Sequence, residues 1–167
     1  NEKGAFVSGY DKTETALTKT LVAEGIEIHY DDNIALLDKE AALVVYTPAI
    51  PADHQELNWY RSNGNTVVKR SDVLQAISHQ MYSITVGGTH GKTTISTMIA
   101  QILRDAQYGC NAFLGGISAN YKTNYWSSEN QVAVIEADEY DRSFLNLNPD
   151  VAVLTAMDPD HLDIYGT

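Results

Sequence analysis

The sequence comprises 167 residues, of which 44% are hydrophobic, and it carries a formal net charge of −11. That length suits one ordinary domain or two small ones, and the acidity argues against general binding to nucleic acids or anionic membranes, which both require basic surface. A nucleotide ligand stays open, because one loop can hold phosphate through backbone N–H groups at any net charge.

The cysteine content and the two ends of the sequence bear on its cellular context. Cys110 is the single cysteine and has no intrachain partner for a disulfide, as is typical of a reducing compartment. No apolar run approaches the roughly 20 residues that span a bilayer, and residues 1–4 lack the apolar stretch of a signal peptide. We therefore expect a cytoplasmic protein. Because the sequence lacks an initial Met and begins and ends within patterned segments, we also expect a fragment of a longer protein.

The first half of the chain alternates strand-like apolar runs with segments of helical periodicity. Strands are predicted at residues 5–8, 26–30, 42–47 and 66–69, and helices at residues 13–24, 53–62 and 71–81. Gly25, Pro48 and the Asn63-Gly64 pair are the turn signals that separate these elements.

A second series of elements begins near residue 82. It comprises a strand at 82–86, a glycine-rich turn at 87–91, a helix from 92 to about 107, a loop or hairpin at 115–128, and strands at 110–114, 132–135 and 151–155. The helix is predicted to face inward with Ile95, Met98, Ile99, Ile102 and Leu103. Strands that alternate with helices predict an α/β fold with a mainly parallel sheet. We place a domain boundary near residues 79–82, between domains 1–80 and 81–167.

The strongest motif is a glycine-rich loop between the strand at 82–86 and the helix that follows. Its sequence is Gly88-Thr89-His90-Gly91-Lys92-Thr93-Thr94. Glycines let the backbone wrap closely round a phosphate, and the first N–H groups of a helix point unpaired at the anion. Lys92 can reach the β- and γ-phosphates of ATP, and the hydroxyl of Thr93 can bind Mg²⁺. The general P-loop pattern has a further glycine where this sequence has Val86, so the loop is a shorter variant.

Carboxylates follow the predicted buried strand at residues 132–135. The strand leads into Glu136, Asp138 and Glu139, and open α/β sheets bind ligands at the carboxyl ends of their strands. A carboxylate at that edge can hold Mg²⁺ directly or through water. In a chain without the glycine-rich loop, a solvated acidic loop would be the better interpretation.

A third polar segment follows the predicted strand at residues 151–155. It contains His161 beside Asp160 and Asp163. An isolated histidine is more often structural, but this one follows a strand and has acidic neighbours, which favours a role in binding a metal ion or orienting a substrate.

In their order and spacing, these three motifs resemble those of the Mur ligases. They are residues 88–94, 136–141 and 158–161. The histidine within the loop favours the alanine-adding branch of that family, as do residues 111–116 and 142–145.

The N-terminal half carries the same resemblance. Residues 7–11 and 44–50 are similar to segments of the family's UDP-binding domain, so the resemblance covers essentially the whole chain. Two departures are Gly87, where the family usually has Ala, and Ile95, where it usually has a third Thr.

The resemblance implies a Rossmann-like UDP-binding domain, without its first strand and glycine loop, followed by part of a P-loop-type ATPase domain. It implies ATP-dependent ligation of L-alanine to the lactyl carboxylate of UDP-N-acetylmuramate through an acyl phosphate, in peptidoglycan precursor synthesis. ATP and Mg²⁺ would be the cofactors, with no nucleic-acid or membrane partner, and the sequence leaves the oligomeric state open. The fragment alone is expected to be inactive.

The resemblance also assigns roles to individual residues. Lys92 would neutralise charge on the transferring phosphoryl group, Thr93 would ligate one Mg²⁺, and Glu136 with His161 would hold a second. His90 and Thr94 would lie near the phosphate or the substrate carboxylate. The remaining contacts to ATP would come from Gly88, Thr89 and Gly91, and those to the UDP-sugar from Ser8, Asp11, Thr47 and Ala49.

Two alternatives remain at this stage. The first is the sister ligase that attaches a recycled tripeptide to UDP-N-acetylmuramate, since it shares the loop and the acidic run. The second is a P-loop NTPase that is not a ligase, which Val86 and the UDP-sugar-like N-terminal half disfavour.

Overall fold

A computed structural model describes residues 4–139, 142–159 and 166 of the chain. The described residues form two compact units that divide between Lys69 and Arg70. In both units strands alternate with helices and most strand pairs are parallel, so the predicted α/β class is confirmed. The domain boundary near residues 79–82 stays a prediction, because the division by contacts reflects the packing of the helix that begins at Arg70.

The first unit contains two separate two-stranded parallel sheets. Its elements are β1 (Ser8–Tyr10), α1 (Ala16–Ala23), β2 (Glu27–His29), β3 (Val44–Tyr46), α2 (Gln55–Ser62) and β4 (Val67–Lys69). β1 pairs with β2, and β3 pairs with β4. The strand predicted at residues 5–8 is displaced toward the C-terminus, because Gly9 and Tyr10 join the ladder opposite Ile28 and His29.

Local hydrogen bonds fix where the two helices of this unit begin. Thr15 and Thr18 form a reciprocal capping box at the start of α1, which satisfies two N–H groups that the helix leaves unpaired. At the start of α2, the carboxylate of Asp32 accepts the N–H groups of Gln55 at 2.9 Å and Glu56 at 3.1 Å. An anion at a helix N-terminus also interacts favourably with the helix dipole.

The second unit is a five-stranded sheet with helices packed against it. Its elements are α3 (Arg70–Gln80), β5 (Tyr82–Gly87), α4 (Lys92–Asp105), β6 (Asn111–Phe113), β7 (Tyr125–Trp126), β8 (Val132–Glu136) and β9 (Val151–Leu154). The strand order is β7-β6-β8-β5-β9, and all neighbours are parallel except β7, which pairs antiparallel with β6. The segment predicted as a loop or hairpin therefore contains β7, which is the second strand of a hairpin with β6.

The centre of this sheet is the most completely buried part of the described chain. In β8, Ala133, Val134 and Ile135 have no exposed surface, because β6 and β5 flank the strand and helices cover it. An uninterrupted apolar run is what a parallel strand buried on both faces requires. The sequence pattern at residues 132–135 predicted this strand correctly.

The inward face of α4 differs in part from the prediction. Ile99 and Leu103 pack against the core as expected, but Met98 is 54% and Ile102 64% exposed. The fully buried positions are instead the small residues Ser96 and Ala100, which let the helix approach the sheet closely. The prediction was wrong for Met98 and Ile102 because the helix carries two apolar stripes and periodicity alone does not choose between them.

Within the described ranges, no helix combines the length and the apolar character needed to cross a membrane.

Replacing Ile135 with Ala should destabilise the chain by about 2–5 kcal/mol, since it empties a fully enclosed site. The matched control is Ile102→Ala, which shortens a residue that is 64% exposed and should change stability by no more than about 0.5 kcal/mol. Urea unfolding of both variants measures the difference, and equal losses would contradict the described packing.

Candidate active site

The glycine-rich loop connects the end of β5 to the start of α4. Gly91 adopts a left-handed conformation with φ 79° and is the N-cap of α4. The first helical bond runs from the N–H of Ile95 to the carbonyl of Gly91 at 2.9 Å, so the preceding N–H groups have no acceptor within the helix. The loop therefore presents a group of backbone donors suited to a phosphate.

The segment after β9 supports this loop from the side. The N–H of Thr89 donates to the carbonyl of Ala156 at 3.1 Å, and the hydroxyl of Thr155 donates to the carbonyl of His90 at 2.5 Å. Gly88 has φ 128°, and a Cβ there would lie 2.8 Å from the carbonyl oxygen of Ala156. Only glycine fits this conformation and this close approach.

Lys92 is held over the loop by two acceptors. Its Nζ donates to the carbonyl of Gly88 and to Oε1 of Glu139, both at 2.7 Å. The side chains of Lys92 and Glu139 are only 17% and 16% exposed, so water screens the ion pair weakly. The ammonium group is thus already at the loop, where phosphate oxygens could replace the carbonyl as its acceptor.

Thr93 and Glu136 bring a hydroxyl and a carboxylate together beside the loop. The hydroxyl of Thr93 donates to Oε1 of Glu136 at 2.9 Å. Thr93 lies in the first turn of α4 and Glu136 is the last residue of β8, which pairs with β5 in parallel. Mg²⁺ prefers oxygen ligands such as these, so Thr93 and Glu136 fit this ion.

The remaining site residues predicted in the C-terminal half of the chain are His90, Thr94 and His161. His90 is 72% exposed, with Nε2 at 3.7 Å from Oδ2 of Asp158, and the side chain of Thr94 is exposed. His161 lies outside the described residues, so its predicted place beside Glu136 stays a prediction.

The predicted UDP-sugar residues follow the carboxyl ends of β1 and β3 or lie within β1. Ser8 and Thr47 line a cavity of about 660 Å³ in the first unit. Asp11 and Ala49 are exposed, and Oδ1 of Asp11 accepts the N–H of Thr13 at 3.1 Å. The structure thus brings two of the four predicted residues to the same cavity.

The first unit also contains a cluster that resembles a metal site in composition. Asp32, His54 and Glu56 bring three potential ligand atoms within 4.8 Å of one another. Most of their acceptor atoms are already used. Asp32 binds the start of α2, and Oε1 of Glu56 accepts the N–H of Asn33 at 2.8 Å and contacts His29. Nδ1 of His54 accepts the N–H of Leu57 at 3.3 Å, while its buried Nε2 has no partner among the described residues. Burial alone would raise the pKa of Asp32, but backbone N–H bonds and nearby histidines hold it below its ordinary value. We therefore interpret this cluster as a helix-capping network.

Three residues at the candidate active site were not assigned roles from the sequence. Glu139 holds Lys92, Gly115 donates its N–H to Glu136, and the buried Ser96 places its hydroxyl 3.5 Å from the same carboxylate. The sequence places Glu139 at the same strand end as Glu136, but it does not predict the ion pair with Lys92. The other two contacts join distant segments, and neither has a local sequence signal.

Replacing Gly88 with Ala should destabilise the second unit by roughly 1–3 kcal/mol through backbone strain, and the contact with Ala156 adds to that loss. Gly87→Ala is the matched control, because its Cβ would meet only the Cβ of Ala137 at an ordinary 3.8 Å. Urea unfolding compares the two variants. Equal stability would show that the loop does not adopt the described conformation.

Comparison with protein families gives matches over nearly the whole chain. The model for the Mur ligase family, catalytic domain, matches residues 1–82. The Mur ligase middle domain model matches residues 86–167. The two matches are consecutive, and all three sequence motifs lie within the second.

Curated relatives are similar over the full length of this chain. The UDP-N-acetylmuramate–L-alanine ligase of Porphyromonas gingivalis is 50% identical over 171 residues, which cover 99% of this chain and 38% of the relative. The ligase of the same name from Phocaeicola vulgatus is 52% identical, with 99% and 37% covered. The chain thus spans somewhat more than a third of the length of the relatives that it matches.

Solved structures share the fold. A UDP-N-acetylmuramate:L-alanyl-gamma-D-glutamyl-meso-diaminopimelate ligase from Neisseria meningitides superposes with a TM-score of 0.87 at 28% identity, covering 99% of this chain and 57% of that one. A UDP-N-acetylmuramate-alanine ligase from Thermotoga maritima gives 0.82 at 30% identity, with 96% and 38% covered. The family models, the relatives and the folds agree, and the chain belongs to the Mur ligase family.

Proposed function

We propose that the protein containing this chain joins L-alanine to the lactyl carboxylate of UDP-N-acetylmuramate, with ATP as phosphoryl donor, in peptidoglycan precursor synthesis. The observation that carries the proposal is the arrangement at one edge of the sheet, where the loop lysine Lys92 lies beside the Thr93–Glu136 oxygen pair. Identity of about 50% to curated alanine ligases supports the choice of substrates.

The proposed reaction has two steps. A lactyl carboxylate oxygen attacks the γ-phosphorus of ATP, and ADP leaves. The amine of L-alanine then attacks the acyl carbon of the acyl phosphate, and inorganic phosphate leaves as the amide forms. Phosphoryl transfer depends mostly on positioning and on neutralising negative charge, and the loop residues are suited to both tasks.

Lys92 would supply positive charge to the transferring phosphoryl group. Its ammonium group has already lost most of its contact with water and is directed by Gly88 and Glu139. A phosphate oxygen could replace the Gly88 carbonyl as acceptor while Glu139 keeps the side chain at the loop. The N–H groups at the start of α4 would bind the remaining phosphate oxygens, with Thr89, Gly91 and Thr94 contributing from the loop.

The resemblance implies one Mg²⁺ at Thr93 and a second at Glu136 and His161. Because Oγ1 of Thr93 and Oε1 of Glu136 lie only 2.9 Å apart, we propose that both would contact the same ion, with His161 as a further ligand. Bound Mg²⁺ neutralises charge on phosphate oxygens and helps to orient them. Thr93 now donates its hydroxyl hydrogen to Glu136, which leaves the lone pairs of its oxygen for the ion. His90 is exposed beside Asp158, and we place it near the phosphate or the substrate carboxylate.

The first unit would bind the UDP-sugar. Ser8 and Thr47 line its cavity, and Asp11 and Ala49 lie just beyond the ends of β1 and β3. We further propose a cytoplasmic location, which the single cysteine of the sequence supports.

A second candidate is the recycling ligase that uses a tripeptide in place of L-alanine. The superposition with the Neisseria meningitides structure favours it, since that match has a TM-score of 0.87. That neighbour is 28% identical to this chain, whereas the Porphyromonas gingivalis alanine ligase is 50% identical. Sequence identity therefore favours L-alanine as the acceptor.

Phosphate release by the full-length protein tests the assignment. The assay combines Mg-ATP and UDP-N-acetylmuramate with L-alanine, L-serine, glycine or the tripeptide in turn. We expect turnover that requires both the UDP-sugar and L-alanine. Turnover only with the tripeptide would identify the recycling ligase, and turnover without the UDP-sugar would contradict both assignments.

Replacing Lys92 with Ala in the full-length protein should reduce kcat by roughly 10²–10³-fold, the usual effect of removing one group that stabilises transition-state charge. Lys19→Ala is the control, since Lys19 lies on α1, is 67% exposed and pairs with Glu14. Steady-state phosphate release measures both variants. An equal effect in the two would show that Lys92 does not contact the transferring group.

A further inference from the structure

Two consecutive glycines, Gly115 and Gly116, lie against the Thr93–Glu136 pair. They follow β6, which is the parallel neighbour of β8. Residues that leave adjacent parallel strands emerge side by side at the same edge of a sheet, so the chain after β6 passes directly beside Glu136. Both glycines belong to residues 111–116, which carry part of the resemblance to the alanine-adding branch, but the proposed function gives them no role.

Gly115 holds one oxygen of Glu136 through its backbone. Its N–H donates to Oε2 at 2.7 Å, while the other oxygen, Oε1, accepts the hydroxyl of Thr93 at 2.9 Å. A Cβ on Gly115 would lie 2.6 Å from Cδ of Glu136. Any residue larger than glycine would therefore displace the carboxylate that it has to bind.

Gly116 packs against the other member of the pair. A Cβ on Gly116 would lie 3.1 Å from the methyl carbon Cγ2 of Thr93, which is closer than an ordinary van der Waals contact. The two glycines thus contact both side chains, one through a hydrogen bond and the other through its small size. The hydrogen bond from Gly115 goes to Oε2, but a Cβ on Gly115 would come closest of all to Oε1 of Glu136, the oxygen that also accepts the hydroxyl of Thr93.

We infer that Gly115 and Gly116 are positioning residues for the metal-binding pair. Gly115 fixes the carboxylate of Glu136 so that Oε1 faces Thr93, and Gly116, because it lacks a Cβ, leaves the space that the methyl group of Thr93 occupies. Outer hydrogen bonds of this kind orient ligands before a metal ion arrives, and so reduce the ordering that binding requires. The inference rests on the proposed metal site at Thr93 and Glu136.

Mn²⁺ is the probe that tests this inference in the full-length protein. Titration of Mn²⁺ into the protein–ADP complex, followed by electron paramagnetic resonance, gives the metal affinity. Gly115→Ala keeps the backbone N–H but displaces the carboxylate of Glu136, and should weaken Mn²⁺ binding by about 10- to 100-fold, the range typical of a disturbed outer shell. Binding of ADP in EDTA should stay unchanged, since it depends on the loop and Lys92, and it also reports that the variant is folded. Gly87→Ala has room for its methyl group and should leave both affinities unchanged.

Two further variants separate positioning from a general loss of structure. The methyl group added in Gly116→Ala makes a milder contact, with one side-chain methyl group. This variant should weaken Mn²⁺ binding by several-fold, and it tests the inference even if Gly115→Ala does not fold. Glu136→Asp shortens the side chain and draws its carboxylate away from Gly115. The double variant that combines it with Gly115→Ala should therefore bind Mn²⁺ about as weakly as whichever single variant has the lower Mn²⁺ affinity. Losses that multiply in the double variant would overturn the inference.

The outcomes also distinguish this inference from the proposed function. If the unaltered protein binds Mn²⁺ with ADP and both glycine variants bind it equally well, the positioning role is wrong and the proposed site remains. If the unaltered protein does not bind Mn²⁺ in the presence of ADP, the proposed metal site is wrong and the inference is overturned with it.

Discussion

β5 and β8 run parallel with Val86 opposite Glu136, and the candidate active site depends on that register. It places the last residue of β8 beside the loop that leaves β5, so the hydroxyl of Thr93 and the carboxylate of Glu136 meet although they are far apart in sequence. The burial of β8 fixes the register, because a shift of one residue would bring the charged Glu136 into the buried position of Ile135. Packing in the core of the second unit therefore determines the geometry at its polar edge.

Electrostatics at this edge involve the ammonium group of Lys92 and the carboxylates of Glu136 and Glu139. Lys92 is paired with Glu139, and Glu136 takes its hydrogen bonds from neutral donors, Thr93 and Gly115. A nucleotide would add further negative charge here. Backbone N–H groups and Lys92 can compensate only part of it, which gives a physical reason why binding would require a divalent cation between the phosphates and Glu136.

The sequence predicted features that depend on local chemistry. The loop at 88–94 and the strand at 132–135 were recognised because glycine conformation and apolar burial leave a mark in consecutive residues. Contacts between distant segments were not predicted: the cap that Asp32 gives α2, the bond from Gly115 to Glu136, and the burial of Ser96. These depend on the pairing of strands and on which stripe of a helix faces the sheet, so neither spacing nor periodicity determines them.

A crystal structure of the full-length protein with Mn²⁺ and a non-hydrolysable ATP analogue tests the central claim most directly. The account predicts that the β- and γ-phosphates lie against residues 88–94 and that an anomalous peak for Mn²⁺ lies within bonding distance of Thr93 and Glu136. Phosphates bound elsewhere, or a metal ion that contacts neither side chain, would contradict it.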